Sequence, residues 1–509
     1  MAMSRPIAAL ILAFLALAPS AFAQDFQPGS ESLGDPLFPQ IGNGGYDALD
    51  YTLDLRYDPG ENRLEPGTRT AMVALATQDL SRLSFDFQRD LTVSSVTVNG
   101  EPATFEQRDA DEKFSSNPDV TQPAKLIVTP VIGILARTEF SVEVSYDGKP
   151  QPIVDADESE EGWIQACSKP GDCDGSFTVN EPIGAQSWFP SNNYAIDKAT
   201  FTTRITAPRS HVALGMGELA SRTQNPDGTD TWTWTEDDPS ATYLATATVG
   251  RFDFDTGSML EKVSGAELAV YDAVDSAGSA ERKKEVAKAV SDTPSVVNFL
   301  SKRFGPYPFD SIGSVADWVP SVGYALENQT KPHYSGDAGG PAIIEQVHEI
   351  SHQWMGNSVS ARRWSDIWFN EGWATWAEMF YRSQTTATAQ SPKAFFRAVI
   401  TSPRSNFKLA PAILDGDPAN LFDGFAVYTR PAAMLEGYRQ IVGTKRFFAF
   451  AQETAQGEHA YGTIGRKAFV KEATKASGLR GARLKKLGKY FDQWLLRDGK
   501  PKLTPSDFR

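Results

Sequence analysis

The sequence predicts a multidomain α+β protein: a β-rich N-terminal domain, a mainly helical domain behind it, and a short helical C-terminal segment. Three observations carry this. At 509 residues the chain exceeds one ordinary domain. From Tyr51 to about Asp255, short β-prone runs alternate with turn residues. From Ser279 onward, apolar positions recur at helical spacing. A hydrophobic content of 41% with 11% aromatic residues is ample for large cores. A net charge of -15 and a pI near 5.0 exclude nucleic acid as the main partner and favour a soluble chain that repels its own copies.

Residues 1–23 read as an export signal. Arg5 supplies positive charge, Ile7 to Ala18 form an apolar stretch, and Ala21-Phe22-Ala23 is an A-x-A cleavage site. The mature chain is expected to start at Gln24, in the periplasm or outside the cell. The apolar stretch is too short and wrongly flanked for a stable membrane anchor, and no later run is long enough to span a bilayer. Residues 24–45, rich in Gly, Pro and Ser, read as an extended arm.

The β-rich domain is expected over 46–255. Runs such as Tyr51–Tyr57, Leu91–Val98 and Glu139–Val144 alternate apolar and polar residues, and Asn99-Gly100 and Asp147-Gly148 end two of them. That pattern fits antiparallel sheets with one wet face. Cys167 and Cys173, the only cysteines, are expected to pair as a small-loop disulfide in an oxidising compartment. Loop closure makes such a bond worth roughly 2 kcal/mol. The rival, a metal or redox pair, has no further cysteine and no nearby histidine to complete it.

The helical domain is expected over 256–445. Ser279 can cap a helix running toward Arg303, which Pro294 splits or kinks. A short strand follows at 312–319, then helices at 342–355 and 367–382, and another from about 425 to 442. The segment 446–509 looks helical. Residues 460–509 hold thirteen Lys or Arg against four Asp or Glu, which reads as a solvated helical face packed on an acidic domain.

The chemistry concentrates in His348-Glu349-Ile350-Ser351-His352, followed after eighteen intervening residues by Glu371 in Asn370-Glu371-Gly372-Trp373. Residues four apart share a helix face, so His348 and His352 can offer both imidazoles to one zinc ion. Glu349 is placed to handle a proton on a metal-bound water. Glu371 supplies a third ligand from the next helix, and three protein ligands leave a position open for water, as a catalytic site requires. With only five histidines in the chain, a chance H-E-x-x-H arises on the order of once in a few hundred sequences. Glu378, two turns beyond Glu371 on the same face, can orient a ligand histidine. Trp354, Trp364, Trp368, Phe369, Trp373 and Trp376 are expected to pack the two helices together.

Two further blocks flank the motif: Gly323-Tyr324-Ala325-Leu326-Glu327-Asn328 before it and Val427-Tyr428-Thr429-Arg430-Pro431 after it. In this order and spacing the three blocks resemble the gluzincin zinc aminopeptidases, the family of aminopeptidase N and the leukotriene hydrolases, over residues 45–445. The resemblance implies a thermolysin-like catalytic domain, one zinc ion per chain and peptide substrates with a free N-terminus. Glu327, with Asn328 beside it, matches the block that binds the substrate amine. Tyr428 matches the tyrosine that stabilises the oxyanion, and Glu181 in Asn180-Glu181-Pro182-Ile183-Gly184-Ala185 resembles the second amine-binding position. Tyr324 and Leu326 depart from the Gly and Met of the family motif, and Arg430 and Pro431 from its Lys and Gly; these changes bear on selectivity rather than chemistry.

Carboxylates in a partly desolvated cleft hold a charged amine strongly and so place the first peptide bond over the metal. A thermolysin-type endopeptidase shares the histidine motif, but the Ala-Leu-Glu-Asn block and the large β-rich front argue against it. A zinc-bearing binding protein without catalysis is opposed by the complete set of ligands, base and tyrosine. About 80 residues follow Tyr428, little material for the large helical domain that closes over the cleft in many relatives, so a more open site is expected.

Overall fold

The computed structural model of the protein describes residues 25–111, 117, 119–169, 171–335 and 341–509. The export signal and Pro170 lie outside the described residues.

The front of the chain builds three sheets. The largest has nine strands, with Tyr46–Asp58 near its middle. That strand pairs antiparallel with Arg69–Ala76 and parallel with Ala199–Pro208. Its alternation does what the sequence pattern implies: Tyr51, Leu53, Leu55 and Tyr57 are buried while the residues between them are half-exposed. A second sheet of five strands contains the hairpin Glu160–Lys169/Asp172–Val179, whose turn is closed by the Cys167–Cys173 disulfide. A four-stranded sheet completes the front.

Residues 25–45 differ from a free arm. Gln27–Pro28 pairs with the strand Leu80–Asp86, and Leu37, Phe38 and Ile41 are buried in a cluster with Trp364, Leu414 and Val427. Asp35 accepts from the Tyr194 hydroxyl (2.7 Å) and the Trp364 amide (3.0 Å). The segment lacks the periodicity of an element, yet its few apolar side chains find a long-range core.

The helical part opens with strands rather than helices. Phe252–Leu260 and Glu267–Asp275 pair antiparallel and extend a five-stranded sheet through Ser311–Asp317, His333–Ser335 and Ala325–Leu326. The 255/256 boundary read from sequence therefore falls inside a strand. Helices α1 (Ala280–Val290) and α2 (Thr293–Phe304) are separate, with Pro294 in the first turn of α2, where its missing N–H costs nothing. Ser279 caps α1 by accepting from the Arg282 amide. Helices α3 (Ile343–His352) and α4 (Trp368–Thr385) follow, then α5 (Pro392–Thr401) and α6 (Arg430–Val442).

The C-terminal helices α7 (Thr444–Gln456), α8 (Arg466–Ala476) and α9 (Gly481–Leu495) share one core with α4 and α6. Phe447, Phe450, Phe469, Phe491 and Trp494 join Trp354, Trp368, Phe369, Trp373 and Trp376 there, while Trp364 packs apart, against Phe38 and Tyr243. Lys471, Lys475, Arg483, Lys485 and Lys489 face solvent. Among the described residues no helix is long and apolar enough to cross a membrane.

Candidate active site

Helix α3 buries Val347 and Ile350 in the aromatic core, which turns His348 and His352 together toward α4. Glu371, in the first turn of α4, lies with Oε2 3.0 Å from His348 Nε2 and 3.6 Å from His352 Nε2. The other nitrogen of each ring is already engaged. Glu378 Oε1 lies 2.6 Å from His348 Nδ1, and the Met355 carbonyl 3.2 Å from His352 Nδ1. With Nδ1 of both rings held by acceptors, both Nε2 atoms converge on one carboxylate oxygen.

This donor set fits a zinc ion. The three donor atoms lie within 4.8 Å of one another, and the partners on Nδ1 fix the tautomer that leaves Nε2 free to ligate. The electrostatics agree. Burial works against charging His348, yet hydrogen bonds to Glu371 and Glu378 raise it well above its usual range. Burial likewise opposes His352, but Glu371 and Glu327 push it up to about 9. Burial would raise Glu371, and the two histidines instead pull it down to about 2. A field that holds protons on buried imidazoles also favours a dication between them.

Close packing brings the next residues in. A Cβ on Gly372 would meet the Pro431 side chain at 2.6 Å, so glycine beside Glu371 lets α6 approach α4. Just before α6, Gly424–Thr429 form a π-helical turn, capped by Asp423 Oδ1 accepting from the Phe425 and Ala426 amides. The turn presents Tyr428, whose ring centroid lies 6.0 Å from that of His348. Burial first, and the surrounding carboxylates next, raise the Tyr428 hydroxyl well above its ordinary range, so it keeps its proton and can donate.

A cavity of about 550 Å³ joins these groups, lined among others by Glu181, Tyr324, Glu327, Glu349, Glu371 and Tyr428. Glu349 is raised by burial to about 8 against the pull of His348 and His352. Glu327 is also raised by burial, with His352 pulling the other way. Glu181 is buried on the cavity wall, its Oε1 has no protein partner, and burial followed by Glu327 raises it well above the usual carboxylate range.

Asn328 differs from the sequence reading. It does not line the cavity; its Nδ2 donates to the Thr178 and Ala245 carbonyls and to Thr246 Oγ1 (3.0 Å). Successive residues of extended chain point to opposite sides, so Glu327 facing the cavity sends Asn328 into the β-rich part. Sequence reasoning also missed three residues that fix Glu327. Gln353 Nε2 and Asn357 Nδ2 donate to its backbone carbonyl at 3.0 and 2.8 Å, and the Tyr243 hydroxyl lies 3.3 Å from its Oε1. The available signal was Gln353, which directly follows the second histidine.

Comparison with known proteins agrees with this constellation. Residues 342–494 match the model of the peptidase family M1 domain, and residues 47–244 match that of the peptidase M1 N-terminal domain. The chain belongs to peptidase family M1. Human (Homo sapiens) glutamyl aminopeptidase is 29% identical over 217 residues, covering 40% of this chain and 21% of that protein. Leucine aminopeptidase 2 of Neosartorya fischeri is 25% identical over 382 residues, covering 71% of this chain and 56% of the relative. The matches thus span about a fifth of the first relative and just over half of the second. An M1 zinc metallopeptidase of Deinococcus radiodurans shares the fold, with a TM-score of 0.75, 23% identity, 93% of this chain and 98% of that one covered. A two-domain M1 zinc metallopeptidase solved with L-arginine shares the fold too, with a TM-score of 0.76, 23% identity, and 93% of this chain and 99% of that one covered.

Proposed function

We propose that this M1 chain is an exported, zinc-dependent aminopeptidase that hydrolyses the N-terminal peptide bond of peptides. The observation that carries the proposal is the pair of buried carboxylates, Glu181 and Glu327, sharing one cavity with the His348–His352–Glu371 donor set. An uncharged pocket would suit the interior of a peptide; two enclosed carboxylates suit a protonated amine. A Deinococcus radiodurans M1 neighbour solved with a Tyr-Ser-Ala substrate supports peptides as the substrate class. In this proposal residues 1–23 are removed on export, 46–255 supply Glu181, and 256–445 supply the remaining groups.

His348, His352 and Glu371 would hold the zinc ion, with Glu378 orienting His348. When bound, zinc supplies Lewis acidity and lowers the pKa of water. Glu181 and Glu327 take the substrate ammonium and set how far the chain enters. Glu349 accepts the proton of the attacking water and delivers it to the leaving amine as the peptide bond breaks. Tyr428 donates its hydroxyl hydrogen bond to the oxyanion that forms in between.

The test is hydrolysis of aminoacyl anilides beside the same compounds N-acetylated, after chelation and after zinc add-back. Cleavage of the free-amine substrate alone, restored by zinc, is expected. Preference for the blocked substrate would overturn the aminopeptidase proposal in favour of an endopeptidase.

A further inference from the structure

Glu181 carries a puzzle. Its Oε1 is buried without a protein partner, so its own hydrogen bonds do not hold it in place. The backbone must do so. The turn Asn180–Gly184 leaves the strand Asp172–Val179 and enters a 3₁₀ turn at Gly184–Ser187. Beside it, on the neighbouring strand Glu160–Lys169, Glu161 is completely buried. Its carboxylate accepts from the Ile183 amide (3.2 and 3.1 Å to the two oxygens) and from the Gly184 amide (3.0 Å). A Cβ on Gly184 would stand 2.4 Å from the Gly162 nitrogen, so the turn sits hard against the strand that carries Glu161.

The adjacent residue ties down the opposite wall. The Glu160 carbonyl accepts from the Tyr324 hydroxyl at 2.6 Å, and Tyr324 stands three residues before Glu327. One strand end therefore grips both walls of the cleft: Glu161 holds the Glu181 turn, and Glu160 holds the Glu327 segment. No cation pairs with Glu161 among the described residues, and Asp155, also fully buried, lies close enough to repel it. Burying a carboxylate there is costly, and a neutral core side chain would pack at lower cost. What the carboxyl group adds is one oxygen, Oε2, that both backbone N–H groups reach, at 3.1 Å from Ile183 and 3.0 Å from Gly184, which an apolar core side chain does not offer.

We propose that Glu161 is a positioning residue that sets the place of the Glu181 carboxylate, and with it the affinity for the substrate amine. This rests on Glu181 binding that amine. A purely structural Glu161 would lower stability and all kinetic parameters together. A positioning Glu161 acts on KM through Glu181.

The experiment is a double-mutant cycle on the zinc-loaded enzyme with an aminoacyl anilide, using E161L, E181A and the pair, with Tm recorded for each. E161L, which has no acceptor, is expected to raise KM at least fivefold with kcat within twofold. In the E181A background the same change should have no further effect on KM. Glu161→Asp keeps a carboxyl group but shortens its reach; it should show the same KM shift and replaces E161L if that variant does not fold. Additive KM losses, or an unchanged KM in a folded Glu161 variant beside a raised KM in E181A, overturn the positioning role while leaving Glu181 as the amine site. An unchanged KM in E181A itself overturns that assignment, and the inference with it.

Discussion

Removing the carboxylate of Glu378 tests the metal centre without touching a ligand. Glu378 Oε1 lies 2.6 Å from His348 Nδ1, while His348 Nε2 faces Glu371. A neutral imidazole carries one proton; the acceptor at Nδ1 keeps it there and leaves the Nε2 lone pair for zinc. The side chain of Glu378 is 26% exposed, so water screens part of its charge. Partners of this kind contribute about 10- to 100-fold in metal affinity or activity, which is roughly 1.4–2.7 kcal/mol. E378A should weaken zinc by that range, because the ring can rotate and either tautomer forms. E378Q keeps an acceptor oxygen and loses only the charge, so its loss should stay under about tenfold. Competition with a chromogenic zinc chelator gives the affinity, and kcat at saturating zinc gives the catalytic share. An E378A protein with unchanged zinc affinity and kcat within twofold would refute the argument. E378Q as damaged as E378A would refute the tautomer account and leave only charge.

Other perturbations follow from the same geometry. E349Q should retain zinc, measured by metal content after dialysis, and lose about 10²- to 10⁴-fold in kcat. Asp155, fully buried, is raised by burial from 3.8 to about 7. The folded state therefore holds a proton that the unfolded chain has released, and stability falls as pH rises from about 4 to about 7. D155N should flatten that slope and raise the unfolding free energy most near pH 7 and above, by on the order of 4 kcal/mol at most; an unchanged pH profile in urea unfolding would count against it. R430M removes a buried guanidinium that donates to the Leu409, Gln493 and Arg497 carbonyls. Urea unfolding should show a loss of roughly 3 kcal/mol, because Arg430 joins the start of α6 to the end of α9.

Local patterns were legible where the chain itself repeats. The four-residue spacing of His348 and His352 needs only a helix to become a pair, and the alternation of Tyr51, Leu53, Leu55 and Tyr57 needs only a strand to make a buried face. Glu371 was legible because its helix buries Phe369, Trp373 and Trp376 and so leaves that carboxylate turned to the site. Other groups had no such signal. The burial of residues 25–45 depends on partners such as Trp364, more than three hundred residues away. The separation of Glu327 from Asn328 depends on which face of a short extended segment meets the β-rich part.

The sequence by itself determined the histidine pair and the change from strand to helix, since these follow from periods of two and of about four along one element; Glu371, on the next helix, was legible from its own block and spacing. Only the tertiary structure decided how wide the cleft is and what holds its walls. Glu181 stands beside Glu327 because Glu161, Tyr324, Gln353 and Asn357 bind backbone groups far from them in the chain. Hydrogen bonds of that kind depend on distances between elements, which appear only when the cores beneath them have packed.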